Sequence, residues 1–199
     1  MYKVGITGGI GAGKSTLCDI LRDMGVAVYD SDSRAKQLMS DDEALRDALV
    51  EAFGSGVYTS EGLDRGYLAR CVFGDAEALQ RLNGIVHPAV IRDFETWAEA
   101  QEGDYVVLES AILFESGLDS RVDAVVAVMA PEELRVERAM QRDGASREDI
   151  LRRIRNQMSD DQRADNAKYA VVNINREELV EDVEQLHRRL SYDAISRRR

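Results

Sequence analysis

Thr7-Gly8-Gly9-Ile10-Gly11-Ala12-Gly13-Lys14-Ser15-Thr16 is the stretch on which the fold turns. A β-type run from Tyr2 to Thr7 leads into it, and apolar residues at helical spacing (Leu17, Ile20, Leu21, Met24) follow it. Gly8 and Gly13 with Lys14 and Ser15 fit the phosphate-binding pattern G-x-x-x-x-G-K-[ST], set between a strand and a helix as that pattern requires. Glycines let the backbone wind so that successive N–H groups converge on phosphate oxygens, where a Cβ would obstruct the approach. Lys14 supplies a mobile positive charge to the β- and γ-phosphates of ATP, and the Ser15 hydroxyl is the expected protein ligand of Mg²⁺. The helix from Lys14 adds its N-terminal dipole. Gly9, Gly11, Ala12, Gly13, Lys14, Ser15 and Thr16 are the expected nucleotide contacts.

Outward from this loop, Gly25 ends the first helix as a C′ residue, and Val26 to Tyr29 reads as a second strand closing on Asp30-Ser31-Asp32. Strand, loop, helix and strand in that order imply a right-handed βαβ crossover and a parallel sheet flanked by helices. From Ser33 to about Gln101 helical patterns dominate (Ala35 to Met39, Glu43 to Phe53, Tyr67 to Val72, Glu77 to Ala100) and no strand is expected. Strand texture returns at Tyr105 to Leu108 and at Val122 to Met129. Pro131 is expected at a helix N1 position, with Glu132 and Glu133 complementing the dipole of a helix that runs to Arg142. Ser146 opens a helix through Arg155, Tyr169 to Ile174 is a last strand, and Glu177 to Leu190 carries an apolar stripe at Leu179, Val183, Leu186 and Leu190. Ser191 to Arg199 is expected to be a frayed tail. The chain therefore reads as one α/β domain: core 1–32, 104–140 and 168–190, a helical substrate-binding insertion over about 33–103, and a lid over about 141–167.

The bulk properties agree with such a domain. The 199 residues carry a net charge of −11, which argues against nucleic acid or an anionic membrane surface as the main partner. No apolar run approaches the ~18 residues of a membrane span, and no signal-peptide pattern is present, so a soluble cytoplasmic protein is expected. Of the 26 basic residues only Lys3, Lys14, Lys36 and Lys168 are lysine, which gives Lys14 added weight. Cys18 and Cys71 lack a CxxC pattern or a histidine neighbour and read as small buried hydrophobes. His87 and His187 have no ligand cluster about them, and metal binding there is not expected.

Asp30 and Asp32 stand at the end of the second strand. Residues i and i+2 of an extended segment point the same way, so both carboxylates are expected to face the nucleotide. A kinase acting on an alcohol needs one carboxylate to accept the hydroxyl proton. The same four residues, Asp30-Ser31-Asp32-Ser33, equally suit a strand end and helix N-cap. Downstream, Arg138, Arg142, Arg147, Arg152, Arg153 and Arg155 share one stretch with Glu137, Asp143, Glu148 and Asp149. Most of these read as i,i+4 ion pairs on solvated helices. One arginine is expected over the nucleotide to clamp the transferring charge, and Arg142, where Arg142-Asp143-Gly144 breaks a helix, is that residue.

Taken in order, Thr7 to Thr16, Tyr29-Asp30-Ser31-Asp32, His87-Pro88, Ala111-Ile112-Leu113-Phe114-Glu115 and Arg142-Asp143-Gly144 resemble the dephospho-CoA kinase family over essentially the whole chain. The resemblance implies a nucleoside-monophosphate-kinase-like P-loop fold with a helical coenzyme-A-binding subdomain and a lid. It implies transfer of the γ-phosphoryl group of ATP to the ribose 3′-hydroxyl of dephospho-CoA, with Mg²⁺. Asp32 takes the role of base, Thr7 lies near the same site, and Arg142 is the lid arginine. His87, Phe114 and Glu115 are implied substrate contacts, His87 having a structural reading as well. The family usually shows D-V-P-L-L-F-E where this chain has Glu109-Ser110-Ala111-Ile112-Leu113-Phe114-Glu115. Glu109 keeps the charge with one added methylene, which favours a contact to Mg²⁺ through water. A kinase for another small metabolite is the nearest alternative. A GTPase switch lacks its base-recognition motif, since Asn166-Ala167-Lys168-Tyr169 has no aspartate, and a non-catalytic nucleotide binder would not need the lysine, serine and base together.

Overall fold

The fold comes from a computed structural model in which residues 1–197 are described. Two units emerge, one made of Met1–Asp30 with the chain from Ala98 onward, the other of Ser31–Trp97. The first unit opens with β1 (Tyr2–Gly8), α1 (Lys14–Asp23) and β2 (Val28–Asp30). The second holds α2 (Ser31–Asp41), α3 (Glu43–Phe53), β3 (Tyr58–Thr59), β4 (Gly62–Leu63), α4 (Arg65–Val72) and most of α5 (Ala76–Glu99). The chain then returns to the first unit through β5 (Tyr105–Glu109), β6 (Ala124–Met129), α6 (Glu132–Asp143), α7 (Arg147–Arg155), α8 (Asp160–Asn166), β7 (Tyr169–Val172) and α9 (Arg176–Arg197).

A strand buried on both faces needs a near-continuous apolar run. Val4 and Ile6 of β1, Val106 to Leu108 of β5 and Val126 to Val128 of β6 supply such runs, all fully buried. They pair in a parallel five-stranded sheet of order β2-β5-β1-β6-β7. Helix α1 turns Leu17, Cys18 and Leu21 onto one face, and α9 lays Leu179, Val183, Leu186 and Leu190 into the same apolar cluster. The register sets Asp30 of β2 opposite Glu109 of β5, and Glu109 opposite Ile6 of β1. Carboxylates of two strands thereby meet at the carboxyl edge beside the phosphate loop, where open α/β sheets gather their ligands.

The second unit is helical around Leu45, Leu49, Val57, Leu68 and Phe94. Asp42 and Asp64 cap α3 and α4 by accepting from the N–H groups of Leu45 (3.0 Å) and Tyr67 (2.8 Å). Arg34 and Asp93 form a two-pronged pair at 2.9 and 2.6 Å that ties α2 to α5. Pro88 inside α5 removes one intrahelical donor at mid-length.

Several expectations change. The insertion is bounded at 31 and 97, slightly earlier than the 33–103 anticipated, and it contains the short β3–β4 hairpin where no strand was expected. Pro131 is the N-cap of α6, its ψ of 138° lying outside the helix, so Glu132 takes the N1 place. Residues 191–197 continue α9 as helix and do not fray. Ala194 is buried one turn beyond Leu190, and Asp193 is gripped by Lys168 (2.6 Å) and the Tyr169 hydroxyl (2.7 Å). The last two arginines of the expected tail lie outside the described residues. Helix α8 has no apolar stripe and was not anticipated, although its capping box (Ser159 and Gln162) is present in the sequence. His187 is structural, its Nδ1 sharing a 2.8 Å hydrogen bond with the Tyr105 hydroxyl. No helix among the described residues is long and apolar enough to cross a membrane.

Candidate active site

The phosphate loop leaves β1 at Gly8 and enters α1 at Lys14. Gly11 and Gly13 adopt left-handed backbone conformations, with φ of 73° and 91°. A Cβ at Gly11 would overlap the Arg135 carbonyl, and one at Gly13 would overlap the Asn173 amide, so only glycine serves at either place. Lys14 Nζ donates to the Gly8 carbonyl at 2.9 Å, which holds the ammonium inside the curve of the loop. Ser15 is exposed in the first turn of α1, Thr16 is half-buried beside it, and Ala12 is fully buried.

Side chains remote in sequence support the loop. The Ile10 N–H donates to Gln157 Oε1 at 2.9 Å and the Ile10 carbonyl accepts from Arg135 Nε at 2.9 Å. The Ile10 side chain packs against the small cluster of Val136, Ala139 and Ile150. Asn173 Nδ2 donates to the Ala12 carbonyl at 3.0 Å. Arg135 and Asn173 were missed at the sequence level. Only the placement of a charged residue at a buried position of α6, and of a turn residue just after β7, hinted at them.

At the sheet edge Glu109 is partly buried and its carboxyl titrates above the ordinary carboxylate range. Burial is the main cause and the charge of Asp30 the next, while Lys14 and a hydrogen bond from the Cys18 thiol pull the other way. Burial and that same bond push the Cys18 thiol far up, so it stays protonated and unreactive, as a buried hydrophobe should. Thr7 Oγ1 is fully buried and has no hydrogen-bond partner among the described residues. Buried hydroxyls without a partner are uncommon in folded proteins, and this one stands at the strand end that leads into the loop.

The D-x-D pair does not lie on one extended segment. Asp30 ends β2, but α2 begins at Ser31, so Asp32 sits exposed in the first turn of a helix that opens the second unit. The shared orientation expected from alternation is therefore replaced by helical geometry, in which neighbouring side chains fan about the axis. His87 is half-buried on α5 and burial lowers its pKa, which favours the neutral ring. Phe114 and Glu115 lie in the turns that follow β5, Phe114 half-buried and Glu115 more open. Glu115 accepts from the Met158 N–H at 3.4 Å and stands 3.7 Å from the buried guanidinium of Arg163.

Arg142 is exposed at the end of α6, pairs with Asp143 at 2.7 Å and precedes Gly144, the left-handed C-cap. Asp143 also takes Arg153 at 2.7 Å, and these two hydrogen-bonded partners hold its carboxyl well below the usual range. Arg147 reaches back to Glu133 at 2.7 Å and Arg152 pairs with Asp149 at 3.3 Å. Two of these pairs stay within one helix, Arg142–Asp143 as neighbours in α6 and Arg152–Asp149 at i,i+3 in α7, and two join α6 to α7, so none of the four shows the i,i+4 lacing expected here. Arg138 is no surface ion pair either: it caps the chain after β7 by donating to the carbonyls of Asn173 (3.1 Å) and Ile174 (2.9 Å).

A family model described as dephospho-CoA kinase matches residues 2–178. A dephospho-CoA kinase of Bacteroides fragilis is 42% identical over 185 residues, covering 92% of this chain and 90% of that protein. One of Porphyromonas gingivalis is 47% identical over 157 residues, 79% of this chain and 78% of the other. A crystal structure from Thermus thermophilus superposes with a TM-score of 0.83 at 37% identity, over 93% of this chain and 95% of that one. A shikimate kinase from Acinetobacter baumannii, at 16% identity and a TM-score of 0.55 over 97% and 94% of the two chains, shares the fold.

Proposed function

Since the chain belongs to the dephospho-CoA kinase family and phosphorylates the ribose 3′-hydroxyl of dephospho-CoA with ATP, giving coenzyme A and ADP, we propose how its residues divide that task. The observation that carries the reading is the glycine cradle at the carboxyl edge of the sheet, with Lys14 inside it and two carboxylates beside it. The N–H groups of the loop and the Lys14 ammonium receive the ATP phosphates, and the first turn of α1 (Ser15, Thr16) extends the donor row. The donor set also fits Mg²⁺: Ser15 offers a hydroxyl, and Asp30 and Glu109 offer carboxylates at the strand ends. Among the described residues no group of three or more acidic, histidine or cysteine side chains forms a cage of its own, which suits an ion bound largely by water and substrate phosphates. When bound, Mg²⁺ neutralises charge between the β- and γ-phosphates. Glu109, one methylene longer than aspartate, would serve that ion from the strand end, and Thr7 Oγ1, buried without a partner among the described residues, would donate to the bound ligand.

Asp32 is the base of the reading. Its place in the first turn of a helix leaves the carboxylate exposed and near the positive end of the helix dipole, open to a hydroxyl whose proton it would accept. His87, Phe114 and Glu115 contact dephospho-CoA, and residues 141–167 act as the lid, with Arg142 exchanging Asp143 for the transferring phosphoryl group. The site is cytoplasmic in this reading, with neither nucleic acid nor membrane as partner, in keeping with the net charge of −11.

The test is ADP release from ATP and Mg²⁺ with and without dephospho-CoA, followed by Asp32→Asn. That change keeps the shape and loses the acceptor charge. Turnover should fall by at least about 10² while ATP affinity holds, and Asp30→Asn should cost less. Recovery of a near-normal rate at high Mg²⁺ would make Asp32 a metal ligand and end its assignment as base.

A further inference from the structure

Four consecutive residues of the cradle treat their backbone groups in alternation. The N–H groups of Ile10 and Ala12 are taken by the protein itself, at Gln157 Oε1 (2.9 Å) and the Gly9 carbonyl (3.1 Å). The carbonyls of the same two residues are taken by side chains from outside the loop, Arg135 Nε (2.9 Å) and Asn173 Nδ2 (3.0 Å). Among the described residues the N–H groups of Gly11 and Gly13 donate to nothing. A trans peptide unit is planar, with its C=O and the following N–H pointing in opposite directions. Whatever fixes the Ile10 carbonyl therefore fixes the Gly11 N–H on the opposite side, and the Ala12 carbonyl governs the Gly13 N–H in the same way. Glycine has no side chain to hold such a peptide, so the loop needs external grips if it is to be rigid.

Both grips are themselves immobilised. Arg135 is 5% exposed, and its Nη1 donates to Asp160 Oδ2 at 2.7 Å; Asp160 is held in turn by Arg163 Nη1 at 3.2 Å. Asn173 is 4% exposed, its N–H donates to the Met129 carbonyl at 2.8 Å, and Arg138 donates to its Oδ1 at 3.4 Å. With Oδ1 facing Arg138, the amide nitrogen must face Ala12, so the direction of that bond is determined.

We infer that Arg135 and Asn173 are positioning residues of the cradle, each aiming one backbone N–H at the phosphates: Arg135 aims that of Gly11 through Ile10, and Asn173 that of Gly13 through Ala12. The inference rests on the reading that this loop receives ATP. Each acts through the loop carbonyl that it holds. Each sets in advance a donor that would otherwise have to be ordered on binding, which is where preorganised sites gain affinity.

The test is amide NMR of the full-length ¹⁵N-labelled protein titrated with ADP and Mg²⁺. In the wild type the Gly11 and Gly13 amide protons both move downfield as they bond to phosphate oxygens. Arg135→Met abolishes the Gly11 shift and leaves that of Gly13, and Asn173→Ala does the reverse. Each variant raises the KM for ATP about tenfold, the worth of one hydrogen bond to a charged group, and leaves the KM for dephospho-CoA unchanged. A merely structural role predicts loss of both shifts together, or of neither, and either result overturns the inference. Should Arg135→Met fail to fold, Asn173→Ala decides alone: selective loss at Gly13 supports the assignment and equal behaviour of the two glycines ends it. If wild-type protein shows neither shift with ADP, the nucleotide reading of the loop falls and this one falls with it. If the wild type shows both and the variants lack selectivity, only this one does.

Discussion

The edge of the sheet and the arginine-rich helices α6 and α7 spend charge in opposite ways. At the edge, Lys14, Glu109, Arg135 and Asn173 are partly or wholly buried, and their polar atoms are tied to backbone carbonyls, to one another, or to the Cys18 thiol. On the helices, the side chains of Arg142, Arg147, Arg152 and Arg153 are 62%, 51%, 65% and 48% exposed and pair with carboxylates at the surface. Burial strengthens each interaction but makes a lone charge costly, so edge groups hold one arrangement. Exposed pairs contribute about 0–1 kcal/mol apiece and are readily exchanged. The contrast separates two tasks that arginine and lysine share in phosphoryl transfer. A cradle must be rigid before ATP arrives, whereas a clamp must trade its carboxylate for a phosphate.

The largest effect that could break this contrast belongs to the edge. Lys14→Ala removes the cation that bonds the Gly8 carbonyl inside the loop. Turnover should drop by about 10³ or more, and the thermal midpoint should stay near that of the wild type. A folded variant that keeps substantial kinase activity would remove the P-loop assignment and the edge's claim to rigidity together. The helices come next. Arg142→Ala should slow phosphoryl transfer by about 10³, the effect of losing an arginine that reaches the transition state, while Arg152→Ala, its pair confined to one helix, should change the rate little. Equal losses at the two positions would show that charge spread over α6 and α7 matters and that no single arginine is chosen. Asp143 sharpens the point. Its carboxyl titrates low because Arg142 and Arg153 both hold it, so the pairs are intact at neutral pH and weaken only as pH falls below the ordinary aspartate range. Asp143→Asn should therefore alter the ATP dependence of the rate through Arg142 at pH 7 and leave the fold standing.

How legible each region was follows from the same division. The edge announced itself: Gly8 to Thr16 carries a pattern whose residue types follow from the shape of a phosphate, and the apolar runs of β1, β5 and β6 can form little else. What the sequence hid at the edge was its support. Arg135 looks like any other helical arginine, and nothing short of the fold brings it and Asn173 beneath residues 10 and 12. The helices were legible as elements but not as pairings, because Asp143 joins arginines from two helices while local spacing favours partners along one. Asp32 was misplaced for a simpler reason. Ser31 begins α2 one residue after β2 ends, and the alternation rule was carried past the point where the strand stops. Helix α8 escaped because it buries an arginine, Arg163, where an apolar residue would have given the period away.

The smallest predicted effect tests whether the edge bears a cost for its geometry, and Glu109 is where that cost is visible. In the folded protein its carboxyl titrates higher than in the unfolded chain, chiefly through burial and then through repulsion by Asp30. A raised acid binds its proton more tightly when folded, so the folded state is favoured most at low pH. That advantage is lost as pH climbs from the unfolded carboxylate value through the folded one. Above this window the side chain is ionised in both states and the folded state carries the full burden of a partly buried charge. Glu109→Gln removes the charge and keeps an oxygen that accepts from Cys18. Without nucleotide it should therefore be more stable than the wild type at pH 7 to 8, with the gain shrinking as pH falls to the carboxylate range. Its turnover should be lower if, as proposed above, Glu109 serves the Mg²⁺ site. Thermal midpoints of both proteins across that pH range, set beside their rates at saturating ATP, decide the matter. A Glu109→Gln protein that is less stable at neutral pH would mean that Lys14 and Cys18 more than repay the burial. The edge would then be held together by its charges and would carry no cost for them.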